Sequence, residues 1–73
     1  MARMDVESEV AGTVWKVEAA VGTDLAEGDA ILILESMKME IPVEAPAAGR
    51  LVELCVNEED PVEEGQIVAV LET

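Results

Sequence analysis

The sequence predicts an all-β fold, a sandwich or flattened barrel, on three observations. Short runs rich in Val, Ile and Leu are set apart by Gly, Asp, Asn and Pro, as strands and turns require. No run sustains the 3.6-residue apolar stripe of a helix over three turns. And the chain repeats itself: "AGTVWKVEAAVGTDLAEGDAILILES", from Ala11, lies without a gap on "AGRLVELCVNEEDPVEEGQIVAVLET", from Ala48, at a shift of 37 residues.

Taken in order, the strand runs are "TVWKV" (13–17), "ILILE" (31–35), "MEIPVEA" (39–45), "RLVELCV" (50–56) and "IVAVLE" (67–72). The best helical competitor, "VNEEDPVEEGQ" (56–66), contains Pro61 and ends near Gly65, so it reads as a loop holding a short strand. The repeat matches Gly12 with Gly49 and Gly28 with Gly65, which implies matched backbone bends. It also sets Leu34 on Leu71 and Glu35 on Glu72. That identity points Leu32, Leu34, Ala69 and Leu71 inward and leaves Ile31 and Ile33 partly exposed.

Seventy-three residues make one domain at most, expected to span 1–73, and the core of so short a chain is small. Two half-domains closing on each other about a pseudo-twofold axis would supply the missing burial. The interior must be aliphatic, because Trp15 is the only aromatic residue.

Seventeen acidic residues against four basic ones give a net charge of −13. That balance argues against nucleic acid and anionic membranes. It leaves two readings open: carboxylates that keep a monomeric domain soluble, or a surface for neutral or basic protein partners. Cys55 is the only cysteine and histidine is absent, so no internal disulfide or zinc set is expected, and Cys55 reads as a small buried hydrophobe. No signal peptide or membrane span is visible, and the expected location is cytoplasmic.

The first copy ends near Ser36 and the second resumes near Ile41, so Lys38 occupies the joint, and its counterpart under the shift is Met1. A dyad would place this turn at one end of the molecule and the chain termini at the other. Asn-Gly would suit such a two-residue hairpin, because both central residues often need positive φ. The chain instead has Met37 and Lys38. A local rule broken at an exposed point flags function. An exposed lysine there is either a solvated turn charge or a handle whose free amine attacks an activated carboxyl carbon to give an amide. Lys16, between Trp15 and Val17 in a strand, is explained by strand alternation alone.

"ESMKME" (35–40) closely resembles the biotin-attachment motif of biotin carboxyl carrier proteins, in which a lysine between two methionines carries biotin. Lipoyl domains have a similar hairpin, usually with an acidic residue before the lysine and a small one after it. Met37 and Met39 therefore favour biotin, while Ser36 leaves lipoate open as the alternative. The likeness extends to the duplication, to "EGD" (27–29) and to "APAAG" (45–49), in which Pro46 and Gly49 match the family's turn after the hairpin. The chain stops at Thr73, with no room for the protruding loop or amino-terminal partner-binding region of some carriers, and so looks like a stand-alone biotin/lipoyl attachment protein.

The resemblance implies a flattened barrel-sandwich of two four-stranded antiparallel sheets with the lysine on the turn joining the halves. It further implies a non-catalytic carrier biotinylated on Lys38 by a biotin protein ligase. Such a carrier serves a biotin carboxylase and a carboxyltransferase in turn. Glu35, Ser36, Met37, Met39 and Glu40 would be read by those partners. An acyl carrier protein with its prosthetic group on Ser36 would need a helical bundle, which the strand pattern denies.

Overall fold

A computed structural model describes residues 2–73, which form eight strands. They are β1 (Arg3–Glu7), β2 (Gly12–Val17), β3 (Asp24–Leu25), β4 (Ala30–Ser36), β5 (Met39–Glu44), β6 (Gly49–Leu54), β7 (Pro61–Val62) and β8 (Ile67–Glu72). Two four-stranded antiparallel sheets result, ordered β1-β8-β6-β3 and β5-β4-β2-β7. The first order becomes the second when each strand is exchanged for its partner in the repeat. The duplication read in the sequence is therefore a pseudo-twofold in the fold, and the molecule measures 36 × 19 × 18 Å.

The symmetry reaches individual hydrogen bonds. The Gly28 N–H donates to the Ala45 carbonyl at 2.9 Å, and the Gly65 N–H to the Ser8 carbonyl at 2.8 Å. In the same turns the Ala26 N–H donates to the Asp29 carboxylate and the Glu63 N–H to the Gln66 side-chain oxygen, each at 2.9 Å. Gly28 and Gly65 have φ of 91° and 82°, a conformation glycine adopts freely.

Gly12 and Gly49 are needed for a different reason. The sequence reading set them at bends, but they open β2 and β6. A Cβ on Gly12 would lie 2.6 Å from the Glu35 carbonyl oxygen, and one on Gly49 would lie 2.7 Å from that of Glu72. Close backbone approach, not turn geometry, demands glycine at both. Pro46 does sit in a bend, between β5 and β6.

Between the sheets lies an aliphatic core that includes Val14, Leu32, Leu34, Leu51, Val68, Ala69 and Leu71. Leu32, Leu34, Ala69 and Leu71 point inward as the repeat implied, and Ile33 is half-buried. Ile31 was expected to be partly exposed and is instead fully buried. The cause is a β-bulge: Ala30 faces Glu44 and Leu32 faces Val43, so Ile31 is the extra residue and strict alternation fails there. Val68, its counterpart, is the extra residue of the matching bulge against β1.

Cys55 also departs from expectation. It is exposed: its N–H still donates to the Val68 carbonyl of β8 at 2.9 Å, but half-buried Leu54 and buried Val56 on either side take the inward face and alternation turns Cys55 outward. Two strands were not foreseen, β1 and the two-residue β3. The edge strand β1 buries only Val6, so its sequence shows no apolar alternation.

Candidate functional site

The joint between the two copies is a hairpin whose stem is β4 and β5, with Ser36 facing Met39 and Glu35 facing Glu40. Met37 and Lys38 form the turn with φ of 52° and 66°. Consecutive left-handed residues are the backbone of a primed hairpin turn, in which Asn and Gly are comfortable and Cβ-bearing residues are strained. Both side chains face solvent, Met37 being 93% exposed and Met39, at the start of β5, 63% exposed. The methionines are thus not core filler.

Lys38 makes no salt bridge with any of the described residues, whereas Lys16 pairs with Glu18 at 3.8 Å and Arg50 with Asp24 at 3.1 Å. Carboxylates stand opposite each other at Glu35 and Glu40, an arrangement that disfavours the stem. The stem is nonetheless anchored, since Gly12 brings β2 hard against the Glu35 carbonyl and Leu34, next in β4, is fully buried. An amine on a flexible four-carbon stem is therefore carried by a turn that the core below holds in place.

At the position the dyad assigns to the Ser36–Met39 pair, Ala2 and Thr73 exchange backbone hydrogen bonds of 3.0 and 2.8 Å. Met1, the expected counterpart of Lys38, lies outside the described residues. All five recognition candidates, Glu35, Ser36, Met37, Met39 and Glu40, are brought together around Lys38, with Ser36 half-buried and the others exposed. Gly28, Pro46, Gly49 and Gly65 lie in the body of the sandwich and shape its bends and contacts.

Cys55 has its thiol pushed up by partial burial and, after that, by the carboxylates of Glu53 and Asp5. That direction opposes nucleophilic use, since the thiolate is the reactive form. Among the described residues no group of Cys, Asp or Glu side chains is set to hold a metal ion. No helix is long and apolar enough to cross a membrane.

Fold and turn together define a class of protein, a small attachment domain that holds one side chain clear of its body. A family model described as "Biotin-requiring enzyme" matches residues 7–71. The chain belongs to this biotin/lipoyl family. A biotinylated protein TB7.3 homolog of Mycobacterium leprae is 39% identical over 67 residues, covering 92% of this chain and 94% of that protein. A urea amidolyase of Saccharomyces cerevisiae is 43% identical over 68 residues, 93% of this chain but 4% of that protein. The crystal structure of Kluyveromyces lactis urea carboxylase matches with a TM-score of 0.93 and 36% identity, over 99% of this chain and 6% of the other. The chain thus spans nearly the whole of the mycobacterial relative and a small part of the two yeast proteins.

Proposed function

We propose that this chain is a biotin carboxyl carrier, acylated on Lys38 by a biotin protein ligase and visiting a biotin carboxylase and a carboxyltransferase in turn. The observation that carries the reading is the Met37–Lys38 turn: an exposed lysine, without a salt-bridge partner among the described residues, on a strained two-residue turn and flanked by exposed methionines. The family match supports it, as do relatives described as a biotinylated protein and a urea carboxylase.

In the attachment step the neutral Nζ of Lys38 attacks the acyl carbon of an activated carboxylate. The C–N bond forms, the activating phosphate-ester group leaves with the bonding electron pair, and the amine gives up a proton to solvent. Bound biotin supplies a ring nitrogen that accepts and releases a carboxyl group. The chain's own part is mechanical and electrostatic. The anchored stem fixes where the arm starts, and the lysine's methylenes let it swing.

Amide formation removes the Lys38 charge and leaves the carboxylates of Glu35 and Glu40 as the charges nearest the turn. Loaded and unloaded forms therefore differ in charge where a partner meets them. The proposed carrier is monomeric and cytoplasmic, with its net negative charge steering it toward basic rims on partners.

Ser36 favours one second reading, a lipoyl carrier for a 2-oxo acid dehydrogenase-type system, because lipoyl hairpins favour Ser or Thr at that position. Incubation with ligase, ATP and biotin followed by streptavidin blotting tests the primary reading. Signal should survive in Lys16→Arg and vanish in Lys38→Arg. Labelling of neither the wild type nor Lys16→Arg would rule the reading out.

A further inference from the structure

The dyad provides an internal control: whatever differs between equivalent places in the two sheets is not required by the fold. One such place lies on the sheet that carries the hairpin. A notch of about 640 Å³ is lined by Thr13, Val14, Trp15, Glu35, Glu58 and Glu59. At the equivalent positions of the other sheet stand Arg50, Leu51, Val52, Glu72, Val21 and Gly22. There Arg50 is already paired with Asp24.

Three features of the notch have no folding rationale. Trp15, the chain's only aromatic residue, is 49% exposed. It follows fully buried Val14 in β2, so alternation turns its indole away from the core, at the bulge between Val14 facing Leu34 and Lys16 facing Ile33. Glu59 holds φ of 75° where its counterpart Gly22 holds 98°, so a glutamate occupies a conformation that suits glycine. The three carboxylates have no cationic partner among the described residues, and Lys16, the nearest base in sequence, is engaged by Glu18. Glu58 accepts only a 3.3 Å hydrogen bond from the Val17 N–H.

A half-exposed indole beside three carboxylates without cationic partners among the described residues suits a cationic side chain, and a guanidinium best, since it stacks on the ring face while its forked N–H groups reach more than one carboxylate. Glu35 belongs both to this notch and to the hairpin stem, where it faces Glu40, so the surface is continuous with the Lys38 turn. We infer that the Trp15–Glu58–Glu59 notch docks an arginine of the enzyme that acylates Lys38, fixing its orientation over the turn. This inference rests on the attachment reading and adds the contact that gives it specificity.

Steady-state biotinylation by a biotin protein ligase, with biotin and ATP at low and high salt, tests it. Trp15→Ala is expected to lower kcat/KM about 3-fold, in line with a partly exposed cation–π contact. Glu58→Gln/Glu59→Gln is expected to lower it about 5- to 10-fold at low salt and less at high salt. Glu63→Gln/Glu64→Gln, which removes the same charge outside the notch, should stay within 2-fold of wild type. In ¹⁵N-labelled Lys38→Arg, the single indole N–H resonance should shift when ligase is added. Equal losses in the notch and control doubles, or an unmoved indole resonance with unchanged kinetics, would overturn the inference while leaving the attachment reading intact. A wild-type chain that accepts no biotin would overturn both.

Discussion

Replacing Met37 and Lys38 together by Asn and Gly should make the protein more stable. Both residues hold positive φ, and the left-handed conformation costs an ordinary L-residue roughly 1–2 kcal/mol. Asn relieves part of that strain and Gly nearly all of it. Against this stands the greater freedom Gly gives the unfolded chain, worth about 0.5–1 kcal/mol. Little else is lost, since Met37 is 93% exposed and Lys38 has no salt-bridge partner among the described residues. The net gain is about 1–2 kcal/mol, and at about 4–8 °C per kcal/mol for a chain of this size, Tm should rise by about 5–15 °C. Thermal melts by circular dichroism and urea titrations read this directly, the latter as a raised midpoint at unchanged slope. An unchanged or lower Tm would show that the turn stores no strain, and the argument that the sequence sacrifices stability to place Lys38 there would fail.

The remaining predictions use the dyad and the lone thiol. Glu59→Gly should stabilise by about 0.5–1 kcal/mol, and Gly22→Ala, its mirror change, should destabilise by about 1 kcal/mol or more in the same denaturation assay. Gly12→Ala and Gly49→Ala, whose added Cβ atoms would meet carbonyl oxygens at 2.6 and 2.7 Å, should each cost about 2–3 kcal/mol, with nearly equal shifts in urea midpoint. Leu34→Ala and Leu71→Ala, both fully buried, should each cost about 3–5 kcal/mol. Cys55, its thiol raised by partial burial and neighbouring carboxylates, should alkylate with iodoacetamide more slowly than free cysteine at pH 8. The rate should climb as pH rises through its titration.

Much of the fold was legible because the sequence is written twice. Apolar runs between turn residues located five strands, and the repeat gave the inward set Leu32, Leu34, Ala69 and Leu71 without any appeal to energy. It fell short where geometry departs from strict alternation: Ile31 is buried by a bulge, and no count of residues along one strand reveals which partner it skips. Cys55 misled for the opposite reason: "LCV" reads as a continuous apolar run, but alternation holds there, with Leu54 and Val56 turned toward the core and Cys55 outward. For β1 a signal was present and unused. Continued upstream, the same shift lays Val6-Glu7 on Val43-Glu44, which marks the residues around Val6 as the twin of β5.

The hairpin was legible because its residues contradict its shape. Two Cβ-bearing residues where Asn-Gly belongs were visible in the sequence, and both φ values are positive in the structure. The Trp15 notch was less so. Trp15 and Glu58-Glu59 come from distant parts of the chain, and only the pairing of β2 with β4 and β7 brings their surroundings together. The clue lay in the mismatches of the repeat, Trp15 on Val52 and Glu59 on Gly22, which stand out only once the matching positions have been explained by the core.

The central claim is that Lys38 carries biotin, and mass spectrometry of the protein isolated from its own cells tests it most directly. Intact mass should show a single biotinyl adduct, and fragmentation should place it on the residue between Met37 and Met39. A lipoyl adduct on Lys38, or a biotinyl group on Lys16 with Lys38 unmodified, would contradict the account.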